Sequence, residues 1–127
     1  PVVLDVPEDV AHGEHEFRAD EFDIPDRITR IPALRARPDA RETDRAAAMI
    51  ARARRPMLLA GGGVHLSQAH DAVARLTAHG IPLAHSISGK GALACSHPHN
   101  AGLFGRYFKV ANDMIAEADL LIVAGCK

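Results

Sequence analysis

The chain has 127 residues, of which 47% are apolar and 24% charged, and its net charge at pH 7 is −1. These values are typical of one globular domain, and a net charge this small gives no reason to expect a nucleic acid or a membrane surface as partner. No apolar run approaches the roughly 18 residues needed to span a bilayer. Cys95 and Cys126 are too few for a disulfide scaffold, so we expect a cytoplasmic protein.

The first third of the chain shows little regular pattern. Residues 1–10 hold an apolar run that ends at Pro7, and we predict one strand there that belongs to a preceding domain. Residues 11–40 carry charges and prolines without a sustained period, which indicates a linker. A few of its apolar side chains are expected to pack on a neighbour: Phe17, Phe22, Ile24, Ile28 and Ile31. Because the chain begins inside a strand-like run and stops just after another, we expect it to be part of a longer protein.

Three helices are predicted from apolar residues at helical spacing. The first covers residues 43–54 with Thr43 as its N-cap. The second covers residues 68–79, with Gly80 at the C′ position, and the third covers residues 110–118. The predicted inward faces are Ala46, Met49, Ile50 and Ala53, then Ala69, Ala72, Val73 and Leu76, then Ala111, Met114, Ile115 and Ala118.

Three buried strands are predicted at residues 57–60, 83–88 and 120–124, and each runs into a turn that contains glycine. Because helices alternate with these strands, we expect parallel strands joined by right-handed crossovers. The sequence therefore predicts an α/β fold, a parallel Rossmann-like sheet with flanking helices. A ligand crevice is expected at the carboxyl edge of such a sheet.

Three consecutive glycines, Gly61, Gly62 and Gly63, follow the first of these strands. Backbone N–H groups and the positive end of a helix dipole could hold an anion there. The alternative is a turn that needs glycine only for positive φ and close packing. The Rossmann fingerprint would place glycine where Leu66 stands and an acid near the end of the next strand. His85, Ser86 and Ser88 stand there instead, so an ordinary NAD site is not expected.

Catalytic machinery is not recognisable in the residues themselves. The histidine pairs at positions 97 and 99 and at positions 12 and 15 have no third ligand at a spacing typical of metal sites, so we predict no metal site. Neither cysteine has a context that marks a nucleophile. We therefore predict no catalytic residue within the chain.

Several segments resemble one enzyme family in order and spacing. Pro1–Val10 resembles the closing strand of the pyrimidine-binding domain of thiamine-diphosphate-dependent enzymes, and Arg55–Val64 resembles the opening of their central domain. Further similar segments are Gly80-Ile81-Pro82, Gly89-Lys90-Gly91, His97-Pro98, Gly102-Leu103-Phe104-Gly105 and Ala118–Gly125. The most similar subgroup is acetolactate synthase-like.

The resemblance implies a domain organisation. Residues 1–10 would be the last strand of the pyrimidine-binding domain, residues 11–40 an interdomain linker, and residues 41–127 the N-terminal half of the central domain, which has the DHS-like NAD/FAD-binding type of fold. It implies an enzyme that binds thiamine diphosphate and Mg²⁺ in its flanking domains and acts on 2-keto acids such as pyruvate. This segment would be structural or nucleotide-binding, and inactive alone.

The resemblance also implies partners, namely the rest of the same polypeptide and further copies in a homodimer or homotetramer. Two other interpretations stay open. One is a free-standing nucleotide-binding or regulatory Rossmann-like module, and the other is an α/β domain that binds no ligand.

Cofactor-binding residues are carried over from the family by position. The residues that would contact FAD are Gly61, Gly62 and Gly63, then Ser86, Ile87 and Ser88, then Phe104, Gly105 and Arg106. Two departures stand out. Arg106-Tyr107-Phe108 occupies the place where acetolactate synthases carry Met-His-Gly, and Cys126 or Lys127 stands where they carry arginine. FAD, an adenine nucleotide and no ligand therefore all stay open.

Overall fold

The computed structural model describes residues 3–29, 36–106 and 108–127, without the side chains of Arg27 and Ile28. The chain divides into two compact units, Pro1–Ala33 and Leu34–Lys127. No helix among the described residues is long and apolar enough to cross a membrane.

In its described residues the first unit contains only short elements: helices α1 (Glu8–Ala11) and α2 (Asp26–Thr29) and a 3₁₀ turn at Ala19–Phe22. Residues 3–7 have no regular structure, so the strand predicted for residues 1–10 is wrong over its described part; Pro1 and Val2 lie outside the described residues. A strand needs a neighbour for its backbone N–H and C=O groups, and this unit has no strand among its described residues.

The aromatic residues of the first unit contact each other. The rings of Phe17 and Phe22 meet edge to face with centroids 5.4 Å apart, yet both side chains and that of Ile24 are exposed. Their packing on a neighbour stays a prediction, and Ile31 and the side chain of Ile28 lie outside the described residues.

The second unit is built on a parallel sheet with the strand order β3-β2-β1-β4. The strands are β1 (Pro56–Ala60), β2 (Leu83–His85), β3 (Asn100–Leu103) and β4 (Leu120–Ala124). All three neighbouring pairs are parallel. The predicted α/β class and parallel strands are confirmed, and the sheet has one strand more than the three that were predicted.

Helices cover both faces of this sheet. They are α3 (Ala40–Arg52), α4 (Gly63–Leu66), α5 (His70–Thr77) and α6 (Lys109–Glu117). Leu58 and Leu83 point to one face, where they pack with Val73 of α5 and with Ile50 of α3. The opposite face holds a smaller cluster of Met57, Ala84 and Ala111, against which Met114, Ile115 and Ala118 pack as predicted.

Helix α3 begins three residues before the predicted start. Its N-cap is Asp39, whose carboxylate accepts hydrogen bonds from the backbone N–H groups of Arg41 (2.8 Å) and Glu42 (3.4 Å). Thr43 is therefore not the N-cap, and its hydroxyl donates to the Asp39 carbonyl instead. Of the predicted inward face, Ile50 and Ala53 are partly buried, whereas Met49 is 50% exposed.

The segment predicted as one helix over residues 68–79 forms helix α5 only from His70. A tight turn separates α5 from α4, and within it Gln68 has a φ of 51°. The C-cap of α5 is Ala78, so the left-handed Gly80 (φ 83°) stands two residues after the cap instead of at C′.

The amino edge of the sheet is tied together by Asp119. Its carboxylate accepts hydrogen bonds from the backbone N–H groups of Arg54 (2.8 Å) and Arg55 (2.9 Å). These backbone bonds lower the pKa of the Asp119 carboxyl, since they favour its charged form. The clamp joins the residues before β1 to those before β4 and so supports the register that pairs Pro56 with Leu120.

Candidate functional site

A crevice of about 670 Å³ lies where the carboxyl ends of β1, β2 and β4 meet; we call it the edge crevice. Six of the nine predicted cofactor-binding residues line it, namely Gly62, Gly63, Ser86, Ile87, Ser88 and Phe104. Parallel strands present their carboxyl ends at one edge, which is why residues from separate turns converge there. Gly61 is buried, and Gly105 and Arg106 are exposed outside the crevice.

The glycines of the turn after β1 allow two backbone segments to pack closely. The N–H groups of Gly61 and Gly63 donate to the carbonyl oxygens of Ala124 (2.8 Å) and Gly125 (3.0 Å). A Cβ at Gly61 would lie 2.2 Å from the Gly125 oxygen, and one at Gly63 would lie 2.6 Å from the Gly125 Cα. Close approach of two backbones therefore requires glycine here.

This arrangement leaves few groups of the turn available to an anion, so anion binding there stays a prediction. Two of the three N–H groups are already bonded, one to the last residue of β4 and one to the turn after it. Helix α4 has only four residues, so its dipole is small. The alternative of close packing holds without its positive-φ part, because none of Gly61, Gly62 and Gly63 has a positive φ.

The segment after β2 forms the facing wall of the edge crevice. Ser86 ends the strand because its Oγ accepts a hydrogen bond from the Gly89 N–H at 3.1 Å, which turns the chain into a 3₁₀ turn at Ile87–Gly89. The predicted strand over residues 83–88 thus stops at His85. Gly89 packs under the wall, where a Cβ would lie 2.1 Å from the Ala60 oxygen. The Ser86 hydroxyl hydrogen stays available to a ligand, because that bond uses only its oxygen.

Leu66, Gly125, Cys126 and Lys127 also line the edge crevice and were not among the predicted binding residues. Gly125, Cys126 and Lys127 could have been predicted from the pairing of β4 beside β1, because that pairing brings the turn after β4 against the glycine turn. The Cys126 thiol lies 3.6 Å from the Leu59 carbonyl oxygen. Burial raises the pKa of this thiol, so it is uncharged near neutral pH.

The departures from the family pattern do not close the edge crevice at its described residues. Phe108 lines a neighbouring cavity of about 420 Å³ with His85, Ile87, Lys90 and Leu103, and Tyr107 lies outside the described residues. The preceding loop is held by Asn112, whose side-chain oxygen accepts from the Gly105 N–H at 2.9 Å and whose amide donates to the Gly105 oxygen.

The chemistry of the edge crevice suits binding more than catalysis. It offers two serine hydroxyls, one lysine ammonium and the apolar side chains of Leu66, Ile87 and Phe104. Within the described ranges no three His, Cys, Asp or Glu side chains come together as metal ligands. Such a surface can hold a polar, anionic ligand that has an apolar part.

Comparison with known proteins identifies relatives of the whole chain. Residues 43–127 match the family model for the central domain of thiamine pyrophosphate enzymes. The chain is 37% identical over its full length to a probable acetolactate synthase large subunit from Methanococcus aeolicus. It is 32% identical, again over its full length, to the large subunit of acetolactate synthase isozyme 2 from Escherichia coli (strain K12). It covers 21% and 22% of these two relatives, about a fifth of their length.

A solved structure gives the same answer for the fold. An enzyme from Mycobacterium smegmatis, described as thiamin diphosphate-dependent, superposes with a TM-score of 0.61 and 27% sequence identity over 71% of this chain and 18% of that one. The match to the family model, over residues 43–127, covers two thirds of the chain. It agrees with the parallel sheet described above. The chain therefore belongs to the family of thiamine pyrophosphate enzyme central domains.

Proposed function

We propose that this chain is the central-domain part of a thiamine-diphosphate-dependent enzyme of the acetolactate synthase type. The observation that carries the proposal is the alignment of the full chain with acetolactate synthase large subunits at 30% identity and above. The substrates would be 2-keto acids such as pyruvate, in a reaction that makes or breaks a carbon–carbon bond beside the carbonyl.

The catalytic cofactor belongs to other parts of such an enzyme. Thiamine diphosphate supplies a carbanion-stabilising ring when bound, and the Mg²⁺ that would anchor its diphosphate requires oxygen ligands such as carboxylates. The described residues hold no carboxylate cluster of that kind. The described residues therefore do not fit the thiamine site, and their proposed role is to bind a second ligand, to carry the flanking parts, or both.

The edge crevice is the proposed site of that second ligand, an adenine nucleotide or FAD. Ser86 and Ser88 would donate hydrogen bonds to phosphate or ribose oxygens, and the Lys127 ammonium would offset the negative charge of a diphosphate. Leu66 and Phe104 offer apolar contacts for a ring. Support comes from the convergence of these groups in one cavity, which is already open in the structure.

Alkylation of Cys126 tests the occupant of the edge crevice. The full-length protein is treated with iodoacetamide with and without FAD or ADP, and modification is quantified by peptide mass spectrometry. A ligand in the crevice should slow the alkylation of Cys126 and leave that of Cys95 unchanged, because Cys95 is exposed elsewhere on the chain. Equal alkylation of Cys126 with and without both ligands would overturn the proposed site.

Assembly into a homodimer or homotetramer is a further part of the proposal. Strand β4 has one free edge in the described sheet, and its Leu121 and Val123 are 42% and 60% exposed. An apolar strand at an open edge is prone to association, so another part of the polypeptide or another copy would cover it. Light scattering of the full-length protein should give a mass two or four times that of one full-length polypeptide, and a monomer would contradict it.

Product analysis tests the activity. The purified full-length protein, from the cytoplasmic fraction where we place it, is supplied with pyruvate, thiamine diphosphate and Mg²⁺. Acetolactate as product would support the synthase type, whereas acetaldehyde would point to a decarboxylase of the same family. No turnover of any 2-keto acid, together with tight binding of a nucleotide, would favour the free-standing nucleotide-binding module instead.

A further inference from the structure

A pair of facing imidazoles lies outside the edge crevice, at the junction of α4 and α5. His65 Nδ1 and His70 Nε2 are 2.9 Å apart, with ring centroids 5.1 Å apart. The other nitrogen of His65, Nε2, lies 3.0 Å from the carbonyl oxygen of Lys90. Both rings reach solvent, since His65 is half-buried and His70 is exposed.

The hydrogen bonds fix which nitrogen of His65 carries a lone pair. A carbonyl oxygen only accepts, so His65 Nε2 carries the proton that it donates to Lys90. In the neutral ring, Nδ1 is then unprotonated and accepts the hydrogen bond from His70, so His70 Nε2 carries its ring proton in the metal-free protein. This is the arrangement found around protein metal ions, in which a ligating histidine donates its second ring N–H to a backbone carbonyl.

The turn between the two helices holds this pair together. Gln68 has a φ of 51°, the one positive value for a non-glycine residue in the described part of the chain. Backbone bonds from Gln68 N to His65 O (2.9 Å) and from Ala69 N to Val64 O (2.9 Å) close the turn. A left-handed glutamine is an uncommon conformation that folds tend to keep where local geometry matters.

We propose that His65 and His70 form a two-imidazole site for a late first-row divalent cation, with Cu²⁺ and Ni²⁺ as its best-fitting ions. Metal–nitrogen bonds of about 2.0–2.1 Å at a right angle separate the two nitrogens by about 2.9 Å, and tetrahedral bonds separate them by about 3.3 Å. The observed 2.9 Å is the length of the hydrogen bond between the two rings, and the same separation can be kept when an ion with the tetragonal geometry of Cu²⁺ or Ni²⁺ replaces that bond. On binding, the ring proton of His70 would move from Nε2 to Nδ1, which leaves a lone pair on Nε2. Both rings would then tilt so that the two lone pairs meet beside the line that joins the nitrogens, and waters would complete the coordination.

A bound ion would cross-link two helices beside one wall of the edge crevice. It would join the end of α4 to the start of α5. Through the His65–Lys90 bond it would also hold the residue that directly follows the 3₁₀ turn Ile87–Gly89. The proposal stands on the residues of this chain alone and does not depend on the identity of the crevice ligand or on the enzyme activity.

Electron paramagnetic resonance of Cu²⁺ added to the full-length protein, in excess Mg²⁺, tests the site. The difference between wild type and His70→Gln should show a Cu²⁺ with two nitrogen ligands that the variant lacks. Affinity at this site should fall about tenfold or more, a loss at least as large as that for a removed supporting partner. Gln still offers an N–H to His65 Nδ1, so the variant keeps a hydrogen bond here.

Two control variants remove histidines elsewhere in the chain. His79→Gln should leave the two-nitrogen signal unchanged. Loss of that signal in His97→Gln, at the neighbouring pair with His99, or an identical signal in wild type and His70→Gln, would overturn the proposal.

Hydrogen exchange of the wild-type protein supplies a check that needs no variant. Saturating Ni²⁺ should slow amide exchange in residues 63–70 and 86–90 relative to the protein in EDTA, and leave strand β4 unchanged. Unchanged exchange in both segments would contradict the proposed cross-link by the bound ion.

Discussion

Gly61→Ala is expected to pull apart the turns that follow β1 and β4. The new Cβ would lie 2.2 Å from the Gly125 oxygen and 2.6 Å from the Cys126 Cα, both backbone atoms that cannot rotate away. Overpacking of this kind costs about 1–3 kcal/mol. The two hydrogen bonds from Gly61 and Gly63 to the β4 turn contribute about 1 kcal/mol each. The expected loss is therefore about 3–5 kcal/mol in the free energy that keeps this edge closed.

Amide hydrogen exchange of the full-length protein measures this loss locally. Since about 1.4 kcal/mol is a factor of ten, exchange in β1 and β4 should accelerate by roughly 140- to 4,000-fold. Gly62→Ala is the matched control, because Gly62 has an α-helical φ of −59° and its Cβ would meet only Ser88, with the Ser88 Cβ at 3.0 Å and the Ser88 backbone oxygen at 3.4 Å. It should change exchange by less than about tenfold. Similar acceleration in both variants would refute the packing role of Gly61.

Three further predictions concern stability. Asp39→Ala should lower the stability of α3 by about 1 kcal/mol through loss of its N-cap, seen as faster exchange in its first turn, while Asp44→Ala should not. The Asp119 carboxylate stabilises the fold fully above its unfolded pKa of about 3.9, and this contribution is lost as pH falls through its lowered folded pKa. The difference in unfolding midpoint between wild type and Asp119→Asn should therefore be constant above a pH of about 5. It should shrink in more acidic solution. Met57→Ala, at a side chain 1% exposed, should cost about 2–5 kcal/mol, and Leu121→Ala, at its register partner, should cost clearly less in the same urea titration.

Apolar periodicity was enough to predict most of the second unit. Strands β1 and β4 and helix α6 lie within a residue of their predicted bounds, because each is a short apolar or amphipathic run between turn residues. Strand β3 was missed because Asn100 and Gly102 are poor strand formers. It forms through tertiary pairing with β2, where the ladder shifts register between Leu83 and Ala84.

Local chemistry that competes along the chain explains the other differences. Asp39 and Thr43 are both good N-caps, and only the structure shows that the carboxylate of Asp39 captures the first N–H groups. The Ser86 hydroxyl ends β2 by a bond to Gly89, which no apolar pattern reveals. The predicted crevice was placed at the right edge, but the closeness of Gly61 to Gly125 depends on strand order, and strand order does not follow from periodicity.

The most direct test of the proposed function is the thiamine dependence of 2-keto acid turnover by the full-length protein. The protein is stripped of thiamine diphosphate and Mg²⁺, supplied with pyruvate, and assayed for released carbon dioxide before and after both are restored. We expect negligible release from the stripped protein and recovery only when thiamine diphosphate and Mg²⁺ are present together. Release that is unaffected by thiamine diphosphate, or none with any 2-keto acid after restoration, would contradict a thiamine-diphosphate enzyme of the acetolactate synthase type.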